Sequence, residues 1–110
     1  MKPYQSFQEN LIKDLKDPKF AAAYLNVVLE EGDKKHFLLA LRNVLEAQGG
    51  MSFMARRTKI NRVSLYKMLS EKGNPELGSI LLLLRALGVK LQIAPRSNLK
   101  MGSKSQRKAA

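Results

Sequence analysis

Residues 51–70, MSFMARRTKINRVSLYKMLS, decide how this chain is read. Ala55 is followed by Ile60 five residues later, Leu65 five after that and Met68 three further on. Two short helices crossing through a tight turn need a small residue where their backbones approach, which Ala55 supplies. They also need apolar residues to close the wedge, here Met54, Ile60, Leu65 and Met68. This is helix-turn-helix spacing. Ser52 is the N-cap candidate for the first of the two helices and Asn61 for the second. With the apolar positions turned inward, Arg62, Val63, Tyr66 and Lys67 project from the exposed side of the second helix. A recognition helix offers side chains to base edges in the major groove in this way. Ser52, Arg56 and Arg57 on the first helix, with Lys72 and Asn74 just beyond the second, are placed to hold phosphates, contacts that fix register without reading sequence. The plainer alternative is an αα-hairpin that shares the spacing and binds no DNA.

Charge favours the nucleic-acid reading. The 110 residues carry 20 Lys+Arg against 9 Asp+Glu, a formal charge of +11, and an excess of this size favours a polyanionic partner. Its layout is uneven. Residues 1–35 hold six basic and six acidic groups, and residues 36–51 only Arg42 against Glu46, so the first half sums to zero. Residues 52–72 carry Arg56, Arg57, Lys59, Arg62, Lys67 and Lys72 against Glu71, which is +5. Residues 95–110 add another +5 through Arg96, Lys100, Lys104, Arg107 and Lys108.

Working outward, Asp17 is a good N-cap and Pro18 suits the first helical position, so a helix is expected from there to Glu31, with Phe20, Tyr24, Val27 and Val28 along one face. Asp33 can cap a second helix whose apolar positions Phe37, Leu38, Leu41, Val44 and Leu45 keep helical spacing as far as Gly49-Gly50. A last helix built on Leu77 and residues 80–87 stops at Gly88. Counting the two central ones, five short helices are expected. Val89, Leu91 and Ile93 then alternate with Lys90 and Gln92, which suggests a short strand or extended arm before Pro95. The expected organisation is a lead segment over 1–16, one all-α domain over 17–94 with its helix-turn-helix core at 52–70, and a disordered basic tail over 95–110.

Composition excludes much else. At 110 residues the chain supports one core and one domain. It has no Cys, which removes disulfides, zinc ribbons and thiol catalysis, and its single His36 leaves no imidazole cluster for a metal or a triad. No nucleophile, base and orienter can be assembled, so the chain is read as a non-enzyme without catalytic residues, metal or cofactor. The N-terminus lacks the apolar segment of a signal peptide and the apolar runs are too short to span a bilayer, so no membrane association and a cytoplasmic location are expected.

The residues Ala55, Ile60, Asn61, Leu65, Met68, Gly73-Asn74-Pro75, Leu77 and Ala86-Leu87-Gly88 resemble the five-helix Cro/phage-repressor, or Xre, class of DNA-binding domains over residues 37–88. A closer resemblance spans residues 15–93. The strings Asp17-Pro18, Ala21-Ala22-Ala23-Tyr24-Leu25, Glu30-Glu31-Gly32-Asp33 and Leu65-Tyr66 are similar to those of addiction-module antidote proteins, small antitoxins encoded beside a toxin. The resemblance implies a homodimer that binds its own operator as an autorepressor, together with a partner toxin of the small RelE/ParE-like class. The neutral N-terminal helices and the arm at 89–93 would be the protein-binding parts. A stand-alone Xre-class repressor and a protein-interaction module without DNA binding are the alternatives. One departure stands out: the turn usually has Gly where this chain has Lys59, and a positive φ there costs a non-Gly residue about 1 kcal/mol.

Overall fold

The computed structural model describes the backbone over residues 3–96 and side chains over 7–96. Among the described residues the chain is all-helical, with six helices and no strand: α1 (Pro3–Asp14), α2 (Pro18–Glu30), α3 (Lys34–Ala47), α4 (Gly50–Thr58), α5 (Arg62–Met68) and α6 (Leu77–Ala86). The expectation of five helices is therefore corrected by one. The added helix, α1, lies in what the sequence presented as a lead segment. Its end is held by burial, because Leu15 is fully enclosed and Leu11 and Ile12 pack against the same core. Gln48 Nε2 also donates to the Leu15 and Lys16 carbonyls at 3.3 and 3.4 Å, tying this turn to the end of α3.

α2 and α3 begin as their caps dictate. Asp17 Oδ1 accepts from Lys19 N at 3.0 Å with Pro18 opening α2, and Asp33 Oδ1 accepts from Lys35 N at 2.9 Å at the start of α3. The buried face of α2 differs from the expected one. Ala21 and Leu25 are buried with Tyr24 and Val28 packed beside them, whereas Phe20 and Val27 are exposed. α2 packs against α3, and Asn43 Nδ2 donates to Tyr24 Oη at 3.0 Å between them.

α3 is the central element. It packs against α1, α2 and α4, while α4 in turn packs against α5 and α6. Its residues Leu38, Leu41, Val44 and Leu45 are buried, following the 3.6-residue period, and each fully enclosed leucine contributes roughly 1.5–3 kcal/mol.

Two further expectations change at the edges. α4 starts at Gly50, with Gly49 at the N-cap, so Ser52 lies inside the helix, exposed, and caps nothing. The earlier start puts Met51, Met54 and Thr58 on the buried face together. At the other end, Gly88 closes α6 as expected: it sits at φ 81°, its N–H donates to Arg85 O at 3.1 Å and Val89 N–H donates to Leu84 O at 3.1 Å. These two bonds form a Schellman cap, whose left-handed residue favours glycine. Residues 89–96 then follow with no regular secondary structure, so the strand alternative for Val89–Ile93 is not realised: the described chain offers no neighbouring strand to pair with. The expectation of a disordered tail falls, from residue 97 on, outside the described residues.

Candidate nucleic-acid interface

The site is built on the connection between α4 and α5. Lys59 follows α4 with φ 63° and ψ 24°, a left-handed conformation, so this lysine holds the backbone geometry for which glycine is favoured. The buried Thr58 stiffens the turn, its hydroxyl donating to Met54 O at 2.7 Å and accepting from Ile60 N at 3.4 Å. Asn61 then caps α5, its Oδ1 accepting from Val63 N at 2.8 Å and Ser64 N at 3.3 Å. Leu65 and Leu69 are fully buried, and Ala55, Ile60 and Met68 are partly buried against the core. The apolar set read from spacing is thus buried or partly buried, and Leu69 joins it as a member that spacing did not single out.

This packing fixes what α5 shows to solvent. Arg62, Val63 and Lys67 are exposed and Tyr66 is half-buried; Val63 is 73% exposed, which leaves its side chain without a core role. Arg62 Cζ stands 5.5 Å from the centre of the Tyr66 ring, one helical turn along. Lys67, Lys72 and Asn74 line one shallow concavity with Ser64 and Ser70. Ser52, Arg56 and Arg57 are exposed on α4, with Arg57 Cζ 5.9 Å from the Phe53 ring. No hydrogen bond or ion pair among the described residues links those three to the α5 group.

Two cations from the neutral half join this face, and sequence reading did not include them. Arg42 reaches from α3 to place its Cζ 4.9 Å from the Tyr66 ring centre, closer than Arg62. Lys34 Nζ donates to Asn74 Oδ1 at 3.2 Å, across forty residues of sequence. The available signal was weak: Lys34 and Arg42 are eight residues apart on one helix, near enough to two turns to share a side. Among the described residues the ion pair found is His36 with Asp33, at 2.8 Å, so no carboxylate stands within ion-pair distance of the cations around α5.

That pair belongs to the α3 cap rather than to a reactive centre. Desolvation opposes ionisation of Asp33, but hydrogen bonds from the His36 side chain and from the Lys35 and His36 backbone outweigh it and hold the carboxyl below its ordinary value. No group of three metal-ligating side chains occurs among the described residues, and no helix there is long and apolar enough to cross a membrane. Away from α5, Val27, Leu29, Leu91 and Ile93 are apolar and exposed, Ile93 at 95%.

Comparison with known proteins identifies the family. A curated protein of Haemophilus influenzae, described as uncharacterized, is 37% identical over 70 residues, covering 64% of this chain and 71% of its own length. No solved structure matches the chain significantly. The family model described as a probable addiction module antidote protein matches residues 5–95, which takes in all of α2 to α6 and most of α1. On that match the chain belongs to the family of probable addiction module antidote proteins.

Proposed function

We propose that this protein is the DNA-binding antitoxin of a toxin–antitoxin module. In this reading α4 and α5 act as an Xre-class helix-turn-helix, α5 being the recognition helix. The protein binds its own operator as a homodimer and represses its own transcription, and it also neutralises a small toxin of the RelE/ParE-like class. The single observation that carries the reading is the outward side of α5, where Arg62, Val63, Tyr66 and Lys67 are presented together with no carboxylate paired to the cations around them. Buried charge-free packing behind them and uncompensated positive charge in front suit a phosphate-lined groove. Arg62 and Lys67 have the donors to contact guanine O6 and N7 or a phosphate, and Ser52, Arg56, Arg57, Lys72 and Asn74 would hold the backbone.

One recognition helix covers only a few base pairs, so useful specificity requires two copies on half-sites about 10 base pairs, or roughly 34 Å, apart. The exposed apolar side chains of α2 and of residues 89–93 support assigning protein contacts, the toxin among them, to the side away from α5. The test is footprinting on the DNA immediately upstream of the gene, with and without the adjacent gene product. A palindromic footprint and a copurifying neighbour are expected. Copurification without any footprint at physiological salt would leave a protein-interaction module, and a footprint without a copurifying neighbour would leave a stand-alone repressor.

A further inference from the structure

We infer that Arg42 is a positioning residue of the recognition face: reaching from α3, it holds the Tyr66 ring beside which α5 presents Arg62. The inference rests on the DNA-binding reading above and deepens it. Tyr66 has two guanidinium groups near its ring, Arg42 Cζ at 4.9 Å and Arg62 Cζ at 5.5 Å, both within the range of cation–π attraction. The two are not equivalent. Arg42 is half-buried on α3, between the core residue Leu41 and Asn43, which is tied to Tyr24; Arg62 is exposed in the first turn of a seven-residue helix. Arg42 is therefore the anchored cation and Arg62 the adjustable one.

No carboxylate among the described residues pairs with either group, so their charges repel each other in the free protein. A polyanion laid against α5 relieves that repulsion, while the ring keeps its place through the nearer, better-held guanidinium. The planar guanidinium suits this task, since it can lie flat on an aromatic face, whereas a lysine ammonium engages the ring only as a point charge. Arg42 thus separates from an ordinary phosphate contact by what it should tolerate. A phosphate contact accepts lysine in full; a stacking partner accepts it only in part.

The experiment compares a duplex carrying the region immediately upstream of this protein's gene with an unrelated duplex of equal length. The proteins are wild type, Arg42→Lys, Arg42→Gln, Tyr66→Leu and the Tyr66→Leu/Arg42→Gln double variant. Arg42→Gln is expected to weaken binding to the upstream duplex by about two- to thirtyfold, the span of a cation–π contact from exposed to desolvated, and Arg42→Lys by a smaller factor that still exceeds the change on the unrelated duplex. The unrelated duplex should change by no more than about twofold and the salt slope for Arg42→Lys should stay at the wild-type value. On the Tyr66→Leu background Arg42→Gln should add nothing, because the ring it positions is gone. Ring resonances of Tyr66 in the free proteins give a readout without DNA and should shift in both Arg42 variants.

Wild-type affinity for Arg42→Lys, with a salt slope lowered by about 0.9 in Arg42→Gln, would make Arg42 a phosphate contact and overturn the assignment. Equal losses on both duplexes together with a lowered melting temperature would make it merely structural. If wild type binds the upstream duplex and the Arg42 variants match its affinity, only this assignment fails; if wild type binds neither duplex, the DNA-binding reading fails and takes the assignment with it.

Discussion

Two glycines, Gly73 and Gly78, should respond in opposite directions to the same added methyl group. Gly73 is buried in the loop after α5, and a Cβ built there would run into the carbonyl oxygen of Met68, with the Met68 carbonyl carbon at 2.7 Å and Lys67 O at 2.9 Å. All three obstacles are backbone atoms of the last turn of α5, so no side-chain rotation relieves the clash. Relief requires the loop to move away from the helix end, at the cost of about 1–3 kcal/mol typical of forced overpacking. Gly78, in the first turn of α6, has nothing within 4 Å of a built Cβ and an ordinary φ. Alanine there removes conformational freedom from the unfolded chain and should stabilise by up to about 0.5–1 kcal/mol. For a domain of this size each kcal/mol moves the melting temperature by about 4–8 °C. Gly73→Ala should therefore melt at least about 4 °C lower and Gly78→Ala up to about 8 °C higher, measured side by side by circular dichroism. A second consequence is functional: Lys67, Lys72 and Asn74 line the concavity that Gly73 also lines, so Gly73→Ala should weaken DNA binding even well below its melting temperature. A Gly73→Ala protein as stable as wild type would refute the reasoning, since it would mean the loop does not lie against the end of α5 at all.

Three more outcomes can be measured with single substitutions. Arg62→Ala should cost about 1–3 kcal/mol of operator affinity and relax specificity at one position of each half-site, read by binding to a panel of singly substituted duplexes. Asn61→Ala removes the acceptor for Val63 N and Ser64 N and should destabilise the protein by about 0.5–2 kcal/mol in urea unfolding, with Asn61→Asp largely retaining the cap. The Asp33 carboxyl titrates below its ordinary value in the folded protein, so the unfolded chain binds its proton first as pH falls. Its contribution is complete above the ordinary carboxylate range and is lost as pH drops through the folded value; stability compared with Asp33→Asn should converge at the acid end and diverge above it.

The sequence was legible where a local rule has one physical answer. Asp17-Pro18, Asp33 and Asn61 each supply a short acceptor before a helical run, and each caps its helix in the structure. Gly88 is the glycine after an apolar helix, and the Schellman bonds form around it. Legibility failed where several answers were compatible. Residues 20–29 are so uniformly apolar that more than one helix face could have been the inner one, and the face carrying Ala21 and Leu25 is the one buried. In α1 the apolar signal of Leu11, Ile12 and Leu15 is interrupted by Lys13 and Asp14, and what holds the segment is tertiary burial of Leu15. Ser52 satisfied the capping preference locally, yet the need to bury Met51 as well as Met54 moved the start of α4 upstream of it. On the candidate site, exposure of the α5 residues followed from their spacing; the links from Lys34 and Arg42 are tertiary contacts that no local pattern encodes.

Those links also change how the charge of the chain is to be understood. By segment the first half is neutral and the basic block begins at residue 52, a layout that invites a division into a protein-binding half and a DNA-binding half. In three dimensions the division does not hold. α3 contributes the packing that fixes α4, and from the same helix Arg42 and Lys34 extend to Tyr66 and Asn74. Arg56 and Arg57 stand in the last turn of α4 and Lys59 just past it, at the helix end where the backbone dipole favours cations by roughly 0.3–1 kcal/mol each. That preference is of the same order as the left-handed strain at Lys59, about 1 kcal/mol, so a lysine can hold the turn where glycine would be easier for the backbone. A glycine there would ease the backbone and remove a cation from the C-terminal end of α4.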